Sequence, residues 1–524
     1  MSGITTSTFA PGTHFSTLRN NAASSWWKDP GMRSLAVATI AAYCGTVNAG
    51  YDGSLFNGLQ TIDGFLGVLG NPDGNKLGII SAAYALGAIP SLLPAAWIGD
   101  RFGRKICMAI GALLIIIGAV VQTFTKGGDP MLAGRFVVGL GASFEAIGAA
   151  PYVTEISHPR NRPQATALIN TCWFIGSIIA AWTCFGTLNI NGDWAWRLPC
   201  LFQVLPCVVQ LPLLWFIGES PRFLVSRGKN EQALRTLARY HANGDEQDEL
   251  VQFEYQEICA ALEFEKQATA GITYMSFFKS RGNRHRLLVI VLVGFFSQWV
   301  GNGIISYYLA RILSSVGVNN STQQAGLNGG LQVWNWLWAI GAALLCERLG
   351  RRPLWLTSAI GMLICYISIT ACSAVFAEKG TIGAGYAVIA FIFLYNGSYS
   401  IAFTGLTLAY PNEILPFNLR SKGNAILQLA IQIALFFNQY VNPIALDAIA
   451  WKYYIVYDVV LIIAIACIYF LFPETKGRML EEISEIFDGP SDHSVNASAQ
   501  EALEHDDKIG GEKKTATGHV EYAA

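Results

Sequence analysis

The sequence GDRFGRK at Gly99–Lys105 recurs in altered form as ERLGRR at Glu347–Arg352. The acidic residues that align in the two motifs, Asp100 and Glu347, are 247 positions apart. Each motif places several positive charges between long apolar stretches, as expected of a loop that connects two membrane helices. The recurrence indicates a duplicated membrane unit.

Two further motifs repeat in the same order. PYVTEI at Pro151–Ile156 returns as PNEI at Pro411–Ile414, with 258 positions between the glutamates. GESPR at Gly218–Arg222 returns as PETKGR at Pro473–Arg478, with 255 positions between the glutamates. Three motifs at nearly one spacing predict two parallel halves of about six helices each, an architecture that places a binding site between the halves at mid-membrane.

The composition is that of a protein that lies mostly within a bilayer. Of 524 residues, 52% are hydrophobic and 14% charged, whereas soluble domains carry roughly 25% charged residues. A helix needs about 20 mainly apolar residues to cross the hydrocarbon. The predicted fold is an all-α membrane protein with twelve transmembrane helices in two pseudo-symmetric halves. The twelve apolar stretches lie at positions 34–58, 78–98, 105–124, 131–151, 164–186, 198–217, 287–309, 327–346, 353–376, 383–409, 422–440 and 453–472.

These stretches divide the chain into five predicted segments. They are a polar N-terminal segment (1–33), the first six-helix half (34–217), a charged loop with short helices (218–285), the second half (286–472) and a mostly disordered tail (473–524).

Basic residues gather in alternate loops, among them those at Arg101, Arg160 and Arg351. The positive-inside rule makes these loops cytosolic, and an even number of spans then puts both termini in the cytosol. The opposite loops contain overlapping sequons at Asn319 and Asn320, which permit a glycan outside the cell, although such sequons also occur by chance.

Several function classes lack their motifs in this sequence. There is no Walker loop, nucleotide-binding motif, Cys/His metal cluster or catalytic-triad signature. The sequence therefore predicts that the protein is not an enzyme and uses no cofactor. Energy for any transport must then come from a gradient. A chain without a basic soluble domain is also not expected to bind nucleic acid.

Three ionisable residues within the predicted spans are candidates for proton coupling, because charge inside the hydrocarbon is costly. Asp52 in span 1 and Arg135 in span 4 fall at a similar depth. An opposite charge keeps a carboxyl group ionised and loss of that partner favours protonation, which suits a proton carrier. The alternative is a static ion pair that braces the two spans. Glu145, in the middle of span 4, can face a polar cavity or bond a neighbouring helix.

A second group of charges lies where the spans end at the predicted cytosolic face. Forked arginine donors match carboxylates well, so these residues can form a gate that holds the halves together when the outside is open. They also serve as topology signals. The predicted gate residues are Asp100, Arg101, Arg104, Glu155, Arg160, Glu219, Glu347, Arg348, Arg351, Glu413, Arg420 and Glu474.

Polar and aromatic residues interrupt the predicted spans, above all span 7, which reads SQWVGNG at Ser297–Gly303. Glycine lets a membrane helix break, and freed backbone groups are tolerated only beside a cavity. Amides donate and accept hydrogen bonds, which suits hydroxyl-rich ligands, although interhelical hydrogen bonding is the alternative for each residue. The predicted substrate-binding residues are Asn170, Trp173, Gln298, Trp299, Asn302, Tyr307, Asn335 and Gln432.

Together these motifs resemble the sugar-porter branch of the major facilitator superfamily, over about residues 45–480. The resemblance implies that Asp52, in the segment Gly50–Asp52, pairs with Arg135 of Gly134-Arg135. Facilitative members often carry asparagine at the position of Asp52, so the aspartate implies proton symport.

The chain departs from typical sugar porters in three places. The first glutamine of span 7 is replaced by Ser297, the glutamine of span 5 by Asn170, and the tryptophan of span 10 is missing from Thr404–Ala409. With the segments Ile156–Pro159 and Trp173–Ser177, the pattern is most similar to fungal lactose permeases and cellodextrin transporters. Loss of a bulky tryptophan enlarges the expected cavity for a disaccharide.

The resemblance therefore implies a monomeric plasma-membrane carrier that imports a sugar, such as lactose or cellobiose, by proton symport and alternating access. Its partners are a small sugar, protons and the lipid bilayer. The open alternatives are a non-transporting sugar sensor, a facilitator, and a carrier of a hexose or of a non-sugar metabolite.

Overall fold

The computed structural model describes residues 18, 26–269, 271–478 and 480–489. At positions 63, 163, 167, 170, 343–348, 480 and 481 the description covers the backbone alone. The predictions for residues 1–17, 19–25 and 490–524 lie outside the described residues, and so do those for the side chains of Asn170, Glu347 and Arg348.

The described residues form helices and short turns, without a strand among them. In chain order the helices are α1 (Pro30–Leu59), α2 (Asp63–Val68), α3 (Gly74–Phe102), α4 (Arg104–Thr123), α5 (Gly128–Ile156), α6 (Arg162–Thr187), α7 (Trp194–Phe202), α8 (Leu205–Phe216), α9 (Pro221–Ser226), α10 (Asn230–His241), α11 (Glu249–Thr269), α12 (Ser276–Lys279), α13 (Arg281–Trp299), α14 (Asn302–Ser315), α15 (Ser321–Leu349), α16 (Arg351–Lys379), α17 (Ile382–Ile414), α18 (Phe417–Ile449), α19 (Tyr454–Leu471) and α20 (Leu480–Asp488).

Helices occupy all twelve predicted spans, which confirms the fold class. The sixth span consists of α7 and α8, and the seventh of α13 and α14. The first half runs from α1 to α8 and the second from α13 to α19, with α9–α12 between them. The helix α1 begins at Pro30 and α13 at Arg281, a few residues before the predicted boundaries.

Hydropathy alone misses two of these spans because polar residues lower their mean hydropathy. These polar residues face protein. Among the described residues, nine helical stretches are long and apolar enough to cross a membrane, and one of them, Phe417–Leu471, contains both α18 and α19. The spans not counted are α1 and α15. The buried Asn57 of α1 donates a hydrogen bond to the buried Asn328 of α15 over 3.0 Å. Amide pairs of this kind are tolerated between membrane helices.

The bundle has two distinct ends. The basic end carries α9–α12 and the repeated Gly-Arg loops at Gly103 and Gly350, and the opposite end carries α2 and the turn between α18 and α19. At the opposite end the halves meet closely. Gly78 of α3 lies against the Tyr440 backbone of α18, and Gln60 donates a hydrogen bond to the Tyr307 carbonyl of α14 over 2.8 Å. The opposite end is therefore closed in this structure.

A buried charge cluster attaches α10 and α11 to the basic end of α5. His241 contacts Glu254 through Nδ1 over 2.5 Å and the Ile156 carbonyl through Nε2 over 3.0 Å. Because carboxylate and carbonyl oxygens accept hydrogen bonds, both ring nitrogens donate and the ring is an imidazolium. Arg162 approaches Glu254 to 3.6 Å, and the His158 ring packs edge-on against His241.

The two histidines of this cluster have opposite pKa shifts. Burial, together with the charge of His241, lowers the pKa of His158 to about 4, so His158 is neutral at physiological pH. Burial also disfavours the charged form of His241, but Glu254 and the Ile156 carbonyl outweigh it and raise the pKa of His241 above its usual value. One imidazolium thus joins α10 to α11 and to the basic end of α5.

His241→Gln is expected to lower the free energy of unfolding by an amount that depends on pH. A raised folded-state pKa gives a contribution that is complete below the unfolded-state value of 6.5 and disappears as pH rises through the folded-state value. The stability gap between wild type and variant should be on the order of 1–3 kcal/mol in acid and smaller at high pH. Thermal unfolding of purified protein between about pH 5.5 and pH 9 measures it.

Glu254→Gln is the matched control, since it removes the carboxylate and keeps the side-chain shape. In that background the effect of His241→Gln should lose its pH dependence. A gap between wild type and His241→Gln that is equal at every pH would show that His241 is uncharged and serves only in packing.

Candidate functional site

A central cavity of about 430 Å³ lies between the two halves. Tyr307 and Gln332 line it toward the closed opposite end. Thr407 of α17 and Gln428 of α18 line it two to three turns from the basic ends of their helices. The cavity therefore faces the basic end of the bundle. Six of the predicted substrate-binding residues are in its wall, namely Trp173, Gln298, Asn302, Tyr307, Asn335 and Gln432.

Three amide oxygens in the cavity wall have no hydrogen-bond partner among the residues that the structure describes. They are Asn302 Oδ1, Asn335 Oδ1 and Gln432 Oε1, each inaccessible to solvent. Buried polar atoms are paired in the great majority of native structures, so an unpaired one needs a reason. Three such acceptors, on α14, α15 and α18 around one cavity, can pair with a ligand that donates hydrogen bonds once their amide groups rotate toward it.

The seventh span breaks where the sequence predicted it. The helix α13 ends at Trp299 and α14 starts at Asn302, with Gly301 between them at φ 103°. A side chain at Gly301 would overlap the ring of Tyr366, so both the backbone angle and the space require glycine.

Side-chain donors satisfy the carbonyl groups that this break exposes. The Tyr399 hydroxyl donates to the Ser297 carbonyl over 3.0 Å, and the Tyr395 hydroxyl donates to the Val300 carbonyl over 2.9 Å. Freed backbone groups in the hydrocarbon need such partners. The break thereby turns Gln298 and Asn302 into the cavity without leaving unpaired carbonyls at these positions.

Trp299 lies elsewhere than expected. Its indole nitrogen donates to the Ala434 carbonyl of α18 over 3.0 Å, and its ring stacks on Phe295 at 4.6 Å between centroids. It is absent from the cavity wall and packs α13 against α18. The eighth predicted residue, Asn170, lies on α6 with its side chain outside the described residues.

Further residues of the wall were missing from the predicted set. Tyr399 joins the site directly, because its hydroxyl oxygen accepts a hydrogen bond from Asn302 over 3.2 Å. A polar run within an apolar span is the sequence signal that indicates such positions, as in Asn396–Ser400 of α17. The other wall residues with polar side chains are Thr46, Ser54, Tyr84, Ser297, Ser306, Gln332, Asn396, Ser400, Thr404, Thr407 and Gln428.

Asp52 and Arg135 are both buried in the first half, yet no ion pair joins these two described residues. Asn48 donates a hydrogen bond to Asp52 over 3.1 Å, and the amide of Gln203 contacts the other carboxyl oxygen. The Arg135 guanidinium lies 4.5 Å from the ring centre of Phe56. Asp52 is next to Gly53 and Ser54 of the cavity wall but is not part of it.

Glu145 is also buried, at the junction of α1, α4 and α8. Gln210 of α8 donates to one of its oxygens over 2.9 Å, and the other oxygen has no partner. Gly45 and Gly111 leave the space that its side chain fills. Glu145 does not line the central cavity, and its role in proton coupling stays a prediction.

The predicted gate residues form two similar networks, one in each half. In the first half, Arg104 lies 3.4 Å from Glu155, and Ser220 donates to Glu155 over 2.5 Å. In the second half, Arg351 binds Glu413 through Nε and Nη2 at 3.0 and 2.9 Å, and Thr475 donates to Glu413 over 2.5 Å.

A glutamate caps the following helix in each network. Glu219 accepts the backbone N–H groups of Arg104 and Lys105 at the start of α4, and Glu474 accepts those of Arg351 and Arg352 at the start of α16. Burial raises the pKa of Glu219 despite these donors. Burial also acts to raise the pKa of the more exposed Glu474, but four backbone N–H groups together lower it. The networks make each half rigid at its basic end.

The remaining gate residues surround these networks. Arg101 lies over the Trp97 ring at 5.5 Å, Asp100 contacts Arg104 at 3.1 Å, and Arg160 donates to the Leu18 carbonyl over 2.9 Å. Arg420 lies in the first turn of α18. The ion pairs described above all lie within one half, so a clamp between the halves stays a prediction for a state that is closed at this end.

Two repeated helical halves around a polar cavity that opens at one end define a multi-pass membrane transporter. Residues 37–487 match the family described as "Sugar (and other) transporter". The chain belongs to this family of transporters, and it is not an enzyme.

Curated relatives agree with this assignment along most of the chain. The MFS-type transporter oryC of Aspergillus oryzae is 30% identical over 449 residues, covering 84% of this chain and 82% of the relative. Sugar transporter STL1 of Saccharomyces cerevisiae is 28% identical, covering 93% and 89%. The high-affinity glucose transporter of Kluyveromyces lactis is 27% identical, covering 88% and 86%.

Solved structures confirm the fold. The inward-open xylose transporter XylE from E. coli superimposes with a TM-score of 0.72 at 21% identity, covering 86% of this chain and all of that chain. Its partially occluded inward-open form gives a TM-score of 0.71 at 20% identity, covering 85% of this chain and all of that chain.

Gly301→Ala is expected to abolish transport and to destabilise the protein. Alanine is strained at a positive φ, at a cost on the order of 1–3 kcal/mol, and its methyl group overlaps Tyr366. Uptake and thermal unfolding of surface-expressed protein measure both effects. Gly341→Ala, at a helical position with open space around it, is the matched control and should behave as wild type. Normal uptake by Gly301→Ala would mean that the break is dispensable.

Proposed function

We propose that this protein imports a sugar of disaccharide size, such as lactose or cellobiose, together with a proton and by alternating access. The observation that carries the proposal is the set of unpaired oxygens of Asn302, Asn335 and Gln432 around the central cavity. Sugar hydroxyls can donate to all three, and a ligand without hydrogen-bond donors would leave them unpaired. The names of the STL1 and glucose-transporter relatives support a sugar as cargo.

The size of the cavity supports a disaccharide. A volume of about 430 Å³ is in the range of about 300–1,000 Å³ that is usual for drug-sized ligands. Thr404 and Thr407 line it in the part of α17 where the sequence lacks a tryptophan. Trp173 and Tyr307 offer flat aromatic faces to the C–H faces of sugar rings.

The surroundings of Asp52 support proton coupling. A buried carboxylate without an ion-pair partner is costly, whereas a protonated carboxyl group is not. Asn48 and Gln203 can each present an amide N–H or, after rotation, an amide oxygen, so they can bond either form. Asp52 apart from Arg135 fits the proton-loaded form in a state that faces the basic end. Pairing with Arg135 then stabilises the unloaded carboxylate in another state.

The division of contacts supports rocking of two rigid halves. The networks of Arg104 and Arg351 lie within single halves, while Gln60 and Tyr307 join the halves at the opposite end. Opening the opposite end requires the contact between Gln60 and Tyr307 to break. The networks of Arg104 and Arg351 stay intact. A cavity between such halves faces each side in turn.

The orientation in the cell is part of the proposal. The basic end and both termini face the cytosol by the positive-inside rule, and the protein is a monomer in the plasma membrane. The sequon residues Asn319 and Asn320 are exposed at the opposite end, where a glycan would face outward. The side-chain oxygen of Asn320 caps α15 by accepting a hydrogen bond from the Gln323 N–H group over 3.1 Å. This hydrogen bond does not involve the amide nitrogen, where a glycan would attach.

Uptake of labelled lactose, cellobiose, glucose and xylose in yeast without its own sugar carriers tests the proposal. We expect wild type to accumulate a disaccharide against its gradient, and a proton uncoupler to abolish this accumulation. Asp52→Asn should lose accumulation but keep exchange of labelled for unlabelled sugar, because an amide cannot load and release a proton.

Glu145→Gln tests the second buried carboxyl group that is predicted to take part in proton coupling. Accumulation that is retained in Glu145→Gln and lost in Asp52→Asn would assign the coupling to Asp52. Accumulation that survives the uncoupler and Asp52→Asn would show a facilitator. Sugar binding without exchange would show a sensor. Neither binding nor uptake of any sugar, by protein shown to reach the surface, would point to another cargo.

A further inference from the structure

A second cavity, of about 400 Å³, lies at the opposite end of the bundle. It shares no wall residue with the central cavity. Gln60, which lines the second cavity, hydrogen-bonds the backbone of Tyr307, which lines the central one. The closed contact between α1 and α14 thus separates the two spaces. The proposed transport cycle assigns no role to the second cavity.

The wall of the second cavity is partly apolar, and its polar part is electrically balanced. Arg311 donates to Asp447 over 2.7 Å, and the two charges neutralise each other at the cavity surface. Gln324 donates to the Ser314 hydroxyl over 2.8 Å. A charged ligand would have to displace the ion pair, whereas a neutral ligand with hydroxyl groups can bond to it at both charges.

Within the described part of the chain, two buried polar atoms in this wall have no hydrogen-bond partner. They are Gln60 Oε1 and Ser373 Oγ, and their residues are 9% and 4% exposed. Gln60 belongs to the first half and Ser373 to the second, so the unpaired atoms lie on two sides of the cavity. Paired buried polar atoms are the rule, and these exceptions provide hydrogen-bonding capacity for a ligand.

Strained backbone and an aromatic pair complete the wall. Ala450 adopts φ 48°, in the left-handed region that a non-glycine residue rarely occupies, and it lines the cavity. Such strain persists only where the surrounding structure enforces it, and it concentrates at ligand-binding positions. The turn at Ala450 places Trp451 and Tyr454 in the wall, where their rings can cover the C–H face of a sugar or polyol.

We propose that the second cavity binds a neutral, hydroxyl-rich small molecule, a monosaccharide or a polyol, separately from the central site. Residues of both halves line the cavity in the form that is closed at this end, so the ligand stabilises that form. In the proposed orientation this face is extracellular, and high external sugar then slows the return to the outward-open form.

Protection of a cysteine from alkylation tests the site in the purified full-length protein. Ala377 lines the cavity, and Ala377→Cys gives a thiol whose alkylation can be followed on its peptide by mass spectrometry. The probes are D-glucose and sorbitol, with glycine betaine as a solute without hydroxyl groups. At a sugar concentration three times the dissociation constant, alkylation should slow about fourfold by mass action. Glycine betaine should have no effect.

Four further variants separate the second cavity from other effects. Thr322→Cys, which is exposed and outside the wall, should be alkylated at one rate with or without sugar. Trp451→Ala added to Ala377→Cys should abolish protection, and Trp451→Phe should retain most of it. If Trp451→Ala does not fold, Asp447→Asn tests the wall in its place.

Gln432→Ala removes a residue of the central cavity and should leave protection at position 377 unchanged. Protection that disappears in Gln432→Ala would come from the central site and would overturn the proposal. Equal alkylation rates with and without D-glucose and sorbitol would also overturn it, even if the central cavity binds sugar. If the central cavity does not bind sugar but the sugar still protects position 377 from alkylation, only the proposed transport function would be rejected.

Discussion

A membrane helix can break only where its freed backbone groups find partners, and the site depends on this constraint. Gly301 breaks the seventh span, and hydroxyl groups of Tyr395 and Tyr399 bond the carbonyls of Val300 and Ser297. The Asn438 amide donates to the Gln298 carbonyl over 2.5 Å. These bonds hold α13 and α14 at the angle that aims polar side chains into the cavity. Straightening the helix would remove the site.

The repeated sequence motifs form equivalent hydrogen-bond networks in the two halves. Gly103 and Gly350 have similar backbone angles, with φ 104° and 86°, and each precedes a helix that a glutamate caps. An arginine from the start of each of these helices then binds a second glutamate. Two halves built in the same way are rigid at the same end, which concentrates motion at the interface between them.

Much of the fold could be predicted from sequence because its signals are local. Apolar stretches locate the spans, three repeated motifs give the duplication, and glycine within a polar run gives the break at Gly301. These signals depend on the bilayer and on backbone geometry, which act on a few neighbouring residues at a time.

The parts that sequence reasoning missed depend on contacts between distant residues. Trp299 is of a residue type that is common in ligand-binding sites, yet the Ala434 carbonyl and the Phe295 ring hold it away from the cavity. Tyr84 lines the cavity, although nothing in the immediate sequence distinguishes it from tyrosines that only pack. The second cavity draws its wall from α2, α14, α15, α16, α18 and α19 and from the turns that follow α1 and α18, so no motif marks it.

Binding of labelled lactose and cellobiose to the purified protein tests the central claim, that unpaired amide oxygens in the cavity form the sugar site. Asn302→Ala, Asn335→Ala and Gln432→Ala should each weaken binding about tenfold, since the loss of one hydrogen bond of about 1.4 kcal/mol has that effect. Trp299→Phe, outside the wall, should bind as wild type. Unchanged affinity in all three alanine variants would contradict the account.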